Sequence, residues 1–158
     1  MAIVEIKDLK AVLPRGTRLL GLDAGEKTWG LAISDPGLMI ASPLKTIDRT
    51  KFSKDVPKLA SICKEYGVGG FIIGLPRNMD GSEGPRAQSV RDLALNFLQF
   101  KDMLGFEPVI AFWDERLSTR AVERFMIEEA DTSRKRRSEI VDKSAACWIL
   151  QGALDSLK

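Results

Sequence analysis

Four carboxylates stand where apolar sequence surrounds them. Asp23 closes the run Arg18 to Asp23 (RLLGLD), and Asp114 with Glu115 closes the run Pro108 to Glu115 (PVIAFWDE). Asp142 heads a helical stripe whose same-face positions are the small or apolar Ala145, Ala146 and Ile149. An ionised group on such a face is costly unless it is paired or bound to a cation. Singly, each has a plain explanation: a turn former at Asp23, a charged strand end meeting water at Asp114 and Glu115, a helix-dipole partner at Asp142. Carboxylates from three separate elements that converge repel one another unless positive charge joins them. Successive strand residues face opposite ways, so only one of Asp114 and Glu115 can look toward Asp23, and parity alone leaves both open. Hard oxygen donors of this kind suit Mg²⁺ or Mn²⁺. Two such ions roughly 3.5–4 Å apart can activate water and stabilise the leaving oxygen of a phosphodiester.

The rest of the composition narrows the chemistry. The chain has no histidine, which removes imidazole ligands, the commonest general base and the Ser-His-Asp triad. Its two cysteines, Cys63 and Cys147, lie in apolar helical patterns outside any CxxC cluster and are expected to be buried, reduced thiols. The net charge of +2 hides a local basic run, Arg134-Lys135-Arg136-Arg137, which can grip a phosphate backbone without reading sequence, or simply be a solvated loop. With 158 residues, 44% hydrophobic and 29% charged, the chain is expected to form one domain over residues 1–158. No apolar run reaches the roughly 20 residues a membrane span needs, and Glu5, Lys7 and Asp8 interrupt the N-terminal stretch. A cytoplasmic protein without membrane association is expected, its oligomeric state open between monomer and homodimer.

The elements that must position these groups follow from periodicity. Two strands, Arg18 to Asp23 and Thr28 to Ser34, flank a Gly-Glu-Lys hairpin turn, and Ser42 to Ile47 reads as a weaker third strand after the Asp35-Pro36-Gly37 turn. Val56, Leu59, Ala60, Cys63 and Tyr66 mark a helix that Gly67 stops. Val68 to Leu75 is apolar on both parities, as a strand covered on both faces should be. Pro76 to Gly84 is loop, Val90 to Phe97 a second helix, and Pro108 to Glu115 the fifth strand. A third helix capped by Ser118 or Thr119, a basic loop over 131–138 and a helix from about Ser138 complete the chain. The order gives an α/β fold, a mixed five-stranded sheet with helices on both faces. If the first, fourth and fifth strands are parallel, right-handed crossovers bring their ends to one edge.

Four segments in order, RLLGLDAGEKTWGLAISD, IIGLPRNMDGSEGPRA, WDERLST and VDKSAACWILQGAL, resemble the YqgF (RuvX-like) family of pre-16S rRNA nucleases, also described as Holliday-junction-resolvase-like. The resemblance runs from about Arg18 to the C-terminus and leaves the first sixteen or so residues unassigned. It implies an RNase H-like fold and catalysis with Mg²⁺ or Mn²⁺, as a pair of ions. It matches Asp23 to the strand-one aspartate, Asp114-Glu115-Arg116 to the DER motif and Asp142 to the aspartate opening the last helix. RNase H-like sites commonly use Asp-Glu-Asp, which favours Glu115 over Asp114. The resemblance also puts Gly74-Leu75-Pro76, Asn78 and Gly81 in a loop beside the site. The implied reaction is hydrolysis of nucleic acid, an rRNA precursor or branched DNA, with Arg116 and residues Arg134, Lys135, Arg136 and Arg137 on phosphates. Two rival readings exist. A nucleic-acid-binding module that has lost catalysis should also have lost one of these carboxylates. The likeness of LGLDAGEKTWG to the phosphate hairpin of sugar kinases and actin-like ATPases lacks the second lobe and second DxG those proteins need.

Overall fold

The computed structural model describes residues 3–78, 80–114 and 134–158, the last segment with side chains from residue 145 onward. In chain order the elements are a 3-10 turn (Ile6–Asp8), α1 (Leu9–Val12), β1 (Arg18–Ala24), β2 (Thr28–Ser34), β3 (Ala41–Asp48) and α2 (Phe52–Tyr66). They continue with β4 (Val68–Leu75), α3 (Pro85–Gln99), α4 (Lys101–Leu104), β5 (Val109–Asp114) and α5 (Arg134–Ser156). The five strands form one sheet in the order β3-β2-β1-β4-β5. β1 to β3 meander antiparallel, whereas β4 pairs parallel with both β1 and β5. The three parallel strands therefore end together at one edge of the sheet. This is the mixed five-stranded RNase H-like sheet expected from the sequence.

Alternation along the strands sends side chains to two separate cores. Leu20, Leu22, Trp29, Leu31, Phe71, Ile73 and Ile110 pack beneath α2 and α3, with Val56, Leu59, Val90 and Phe97 opposing them. Leu19, Ala32, Ile72 and Ala111 face the other way and meet Ala146, Ile149, Leu150, Ala153 and Leu154 of α5. Helices thus cover both faces, which explains why β4 is buried at all eight positions.

The α5 face is lined with small residues where the helix crosses. A methyl group placed at Gly21 would lie 2.7 Å from the Leu150 Cβ and 2.8 Å from the Ala146 carbonyl oxygen. Helix backbone and strand backbone approach as closely as they do only because Gly21 has no side chain. Ala146 and Ile149, read from sequence as the buried stripe, are both fully buried.

Local endings follow their residue types. Gly67 ends α2 at φ 66°, its N–H donating to the Cys63 carbonyl, in the left-handed conformation a glycine adopts most cheaply. The hairpin turn closes with Gly25 N–H donating to the Thr28 carbonyl at 2.9 Å. Asp35 organises the β2–β3 connection by accepting from the Met39 and Ile40 amides at 2.7 and 2.8 Å, and these hold its carboxyl below the usual range.

Two features depart from the sequence reading. The C-terminal helix already includes Arg134, so the basic run read as loop belongs to it. Arginine and lysine are good helix formers, and polarity alone misled the assignment. The unassigned N-terminus is also structural: Val4 N–H donates to the Ile110 carbonyl at 2.9 Å, and Leu9 is fully buried in the α5-side core. This segment lies along β5, whose outer side would otherwise present unpaired backbone. The expected third helix, with Val122, Phe125 and Met126, lies outside the described residues.

Candidate functional site

Asp23 sits one residue before the end of β1 and is half-buried. It shares the parity of Leu19 and Gly21, so it belongs to the α5 face of the sheet. Its partner across β2 is Gly30. On the other side Leu22 is in register with Ile73, so the next step brings Asp23 level with Gly74. Asp23 is thus a carboxylate flanked by two glycines at a strand end. Asp142 lies in α5 one turn before Ala146, the residue whose carbonyl borders Gly21. Asp23 is two residues beyond Gly21 on that same face. The backbone thus juxtaposes the β1 terminus with the helix carrying Asp142, whose side chain lies outside those described.

Asp114 ends β5 in register with Leu75, and it shares the parity of Phe112. Phe112 and Leu75 both belong to the α2/α3 core. Asp114 is therefore on the face opposite Asp23. Glu115 and Arg116 lie outside the described residues, as do the side chains of Arg134, Lys135, Arg136 and Arg137. Among the described residues no group of three or more His, Cys, Asp or Glu side chains is clustered for a metal.

Between the ends of β1 and β5, β4 runs into the loop carrying Asn78 and Gly81. Asn78 N–H donates to the Ser82 carbonyl at 2.8 Å, and Gly81 N–H donates to the Asn78 carbonyl at 2.9 Å, with Gly81 at φ 88°. Asp80 accepts from the Ser82 amide and hydroxyl at 2.9 and 2.6 Å. Arg91 of α3 then locks the loop down, donating from Nε and Nη2 to the two oxygens of Glu83 at 2.6 and 2.8 Å. Its guanidinium lies 5.0 Å from the centre of the Phe112 ring, so one side chain ties loop, helix and β5 together. The Arg91 hydrogen bond holds the Glu83 carboxyl below the usual carboxylate range. Sequence reasoning did not find Arg91; an arginine eight residues after a glutamate carries no local signature.

On the α2/α3 side of the same edge lies a cavity of about 370 Å³ bordered by Ala24, Gly25, Arg49 and Arg86. This basic hollow, adjoining Asp23 in sequence, was also missed. Cys63 is a buried free thiol, as expected, whereas Cys147 is only half-buried; burial pushes the Cys63 thiol up to about 12 and raises that of Cys147, away from the thiolate form a nucleophile needs.

The sequence profile of the RuvX family, described as a Holliday junction resolvase, matches residues 17–156. The chain belongs to this family. A relative from Rhodospirillum centenum, named "Putative pre-16S rRNA nuclease", is 60% identical over 158 residues, which cover all of this chain and 84% of the relative. One of the same name from Phenylobacterium zucineum is 52% identical, across all of this chain and 99% of the relative. Among solved structures, the fowlpox virus Holliday junction resolvase superposes with a TM-score of 0.50 at 11% identity, covering 89% of this chain and all of that one. That likeness speaks to the fold alone. Among the described residues no helix is long and apolar enough to cross a membrane.

Proposed function

We propose that this RuvX-family chain, acting as one domain in the cytoplasm, is a divalent-metal-dependent nuclease that hydrolyses phosphodiesters. Its substrate is the 5′ end of the pre-16S rRNA precursor, with branched DNA as the second substrate class. The observation that carries the reading is Asp23, set between two glycines where the three parallel strands end and turned toward the helix that bears Asp142. The names of relatives matching the full chain supply the substrate.

The donors fit a hard cation. Asp23 offers carboxylate oxygen, and the chain contains no histidine to favour a softer metal. Asp23, Glu115 and Asp142 would hold Mg²⁺ or Mn²⁺, as a pair of ions. Such ions supply Lewis-acid activation of water and neutralise charge building on the phosphate. The parity of Asp114, which puts it on the opposite face from Asp23, supports its neighbour Glu115 as the acid from this strand. The Arg91–Glu83 clamp holds the loop after β4 as a wall beside the substrate. Arg116 and the basic start of α5 grip phosphates; a guanidinium fork suits that contact.

Purified protein should cleave a precursor-like RNA, a four-way DNA junction, or both, with Mg²⁺ or Mn²⁺, leaving a 5′-phosphate and a 3′-hydroxyl. Asp23→Asn and Asp142→Asn should each abolish cleavage while substrate binding persists, the double variant being no worse than either single one. Undiminished cleavage in excess EDTA, or full activity in either variant, would sink the reading.

A further inference from the structure

We propose that the cavity between the β1–β2 hairpin, the residues after β3 and the start of α3 holds a backbone phosphate of the bound nucleic acid. The site rests on the nuclease reading above and adds to it a second grip on the opposite face of the sheet edge. The cavity begins at Ala24, the residue directly after Asp23. A strand passing over that edge reaches the two in succession.

Three observations favour an anion there. Arg49 and Arg86 both line the cavity, and neither has a carboxylate partner within 4.0 Å among the described residues. Arg49 is already aimed: one guanidinium nitrogen donates to the Gly25 carbonyl at 2.7 Å, and the group lies 5.5 Å from the centre of the Trp29 ring. That fixes its plane and leaves its other N–H groups for a ligand. Arg86 stands in the first turn of α3, directly after Pro85.

That helix start is itself uncompensated. Gly84 gives it no side-chain cap, and its first turn contains no acidic residue. A cation at the positive end of a helix is placed against the dipole, an arrangement that an arriving phosphate turns favourable. Nearby hydroxyls are engaged elsewhere: Thr50 donates to Asp55 at 2.8 Å and Ser89 to the Pro85 carbonyl at 3.1 Å. The arginines are therefore the donors. One carboxylate, that of the exposed Glu26, also borders the cavity and opposes an anion. The two arginines against one glutamate leave the cavity with net positive charge. Its volume of about 370 Å³ accommodates a phosphate with adjoining sugar rather than a bare ion alone.

The test uses the full chain carrying Asp23→Asn, so that binding is read without cleavage. Its probe is a labelled four-way DNA junction in which single methylphosphonate linkages, which lack the phosphate charge, are moved along one strand. At one position the substitution should weaken binding, and Arg86→Ala should make that same position indifferent. Arg86→Ala should also flatten the slope of log K against log salt by roughly 0.7–0.9, one phosphate contact, whereas Glu26→Gln should tighten binding. Both residues are exposed, so melting curves should show the variants folded. Tight binding with a flat scan, or a scan unchanged by Arg86→Ala, overturns the proposal while leaving the nuclease reading intact. Failure to bind both this junction and a precursor-like RNA removes that reading and the cavity's role together. Amide shifts at Gly25 and Ser89 on adding inorganic phosphate, with a flat scan, would mark a site for free anion and also overturn it.

Discussion

Replacing Gly21 by alanine tests how α5 is set against the strand that carries Asp23. The new methyl would stand 2.8 Å from the Ala146 carbonyl oxygen, whereas ordinary contact begins near 3.4 Å. The obstacle is helix backbone, so no rotamer change can relieve it. The Leu150 Cβ, at 2.7 Å, is closer still, so α5 must move by about 0.7 Å relative to β1. Overpacking of this sort costs about 1–3 kcal/mol. Removing a strand glycine returns about 0.5–1 kcal/mol of backbone entropy, leaving a net loss of up to about 2.5 kcal/mol. For a chain of this size that lowers Tm by up to roughly 10 °C. The same shift moves the helix bearing Asp142 away from Asp23. Since a misplacement of 1 Å can cost about 10²-fold, cleavage should fall by about tenfold or more. The assays are thermal melting and single-turnover cleavage, with Gly84→Ala as control because its methyl would meet nothing closer than 3.6 Å. An unchanged or higher Tm together with full cleavage would refute the close packing of α5 on β1.

Two further outcomes follow from the charges. Glu83 has a folded-state pKa held below its ordinary value of 4.5, so its contribution to stability is present above about 4.5 and is lost as pH falls through the lower folded value. Glu83→Gln should therefore remove part of the acid-side fall in Tm between wild type at pH 7 and pH 3, and an identical pH profile in both proteins would mean that the Arg91 clamp contributes nothing. Replacing Arg134, Lys135, Arg136 and Arg137 together by serine should flatten the salt dependence of nucleic-acid binding by roughly 0.7–0.9 per lost phosphate contact. An unchanged slope would assign those residues to solvent.

The fold was legible in sequence wherever burial imposed a pattern. β4, apolar at every position, and β1, with its apolar run closed by Asp23, read as strands because both their faces are covered. Gly67 read as a stop because few other residues end a helix that way. The early hairpin followed by crossovers yielded the mixed sheet. Legibility failed where polarity and structure diverge. The basic residues 134–137 read as loop although they lie in α5, since charge on a helix looks like charge in a coil. The N-terminal Ile3, Val4 and Leu9 carried too short a pattern to reveal that they line β5. Among the candidate site residues, Asp23 and Asp142 stood out because each interrupts an apolar context. Parity along β5, invisible until the pairing of Leu75 with Asp114 was known, is what separates Asp114 from Asp23. Arg49, Arg86 and Arg91 gave no signal at all, because their roles depend on residues brought near only by folding.

The central claim is a cation held by Asp23 together with Glu115 and Asp142, and thermal melting with and without Mn²⁺ tests it most directly. Carboxylates gathered without metal repel, and an ion that binds only the folded chain stabilises it by about 2.7 kcal/mol at a hundredfold excess over Kd. At matched ionic strength Mn²⁺ should raise the wild-type Tm by roughly 5–11 °C. Asp23→Asn should melt at the same or a higher temperature than wild type without metal, and should gain far less from Mn²⁺. Equal responses of the two proteins to Mn²⁺ would contradict the account, because Asp23 would then not be a ligand.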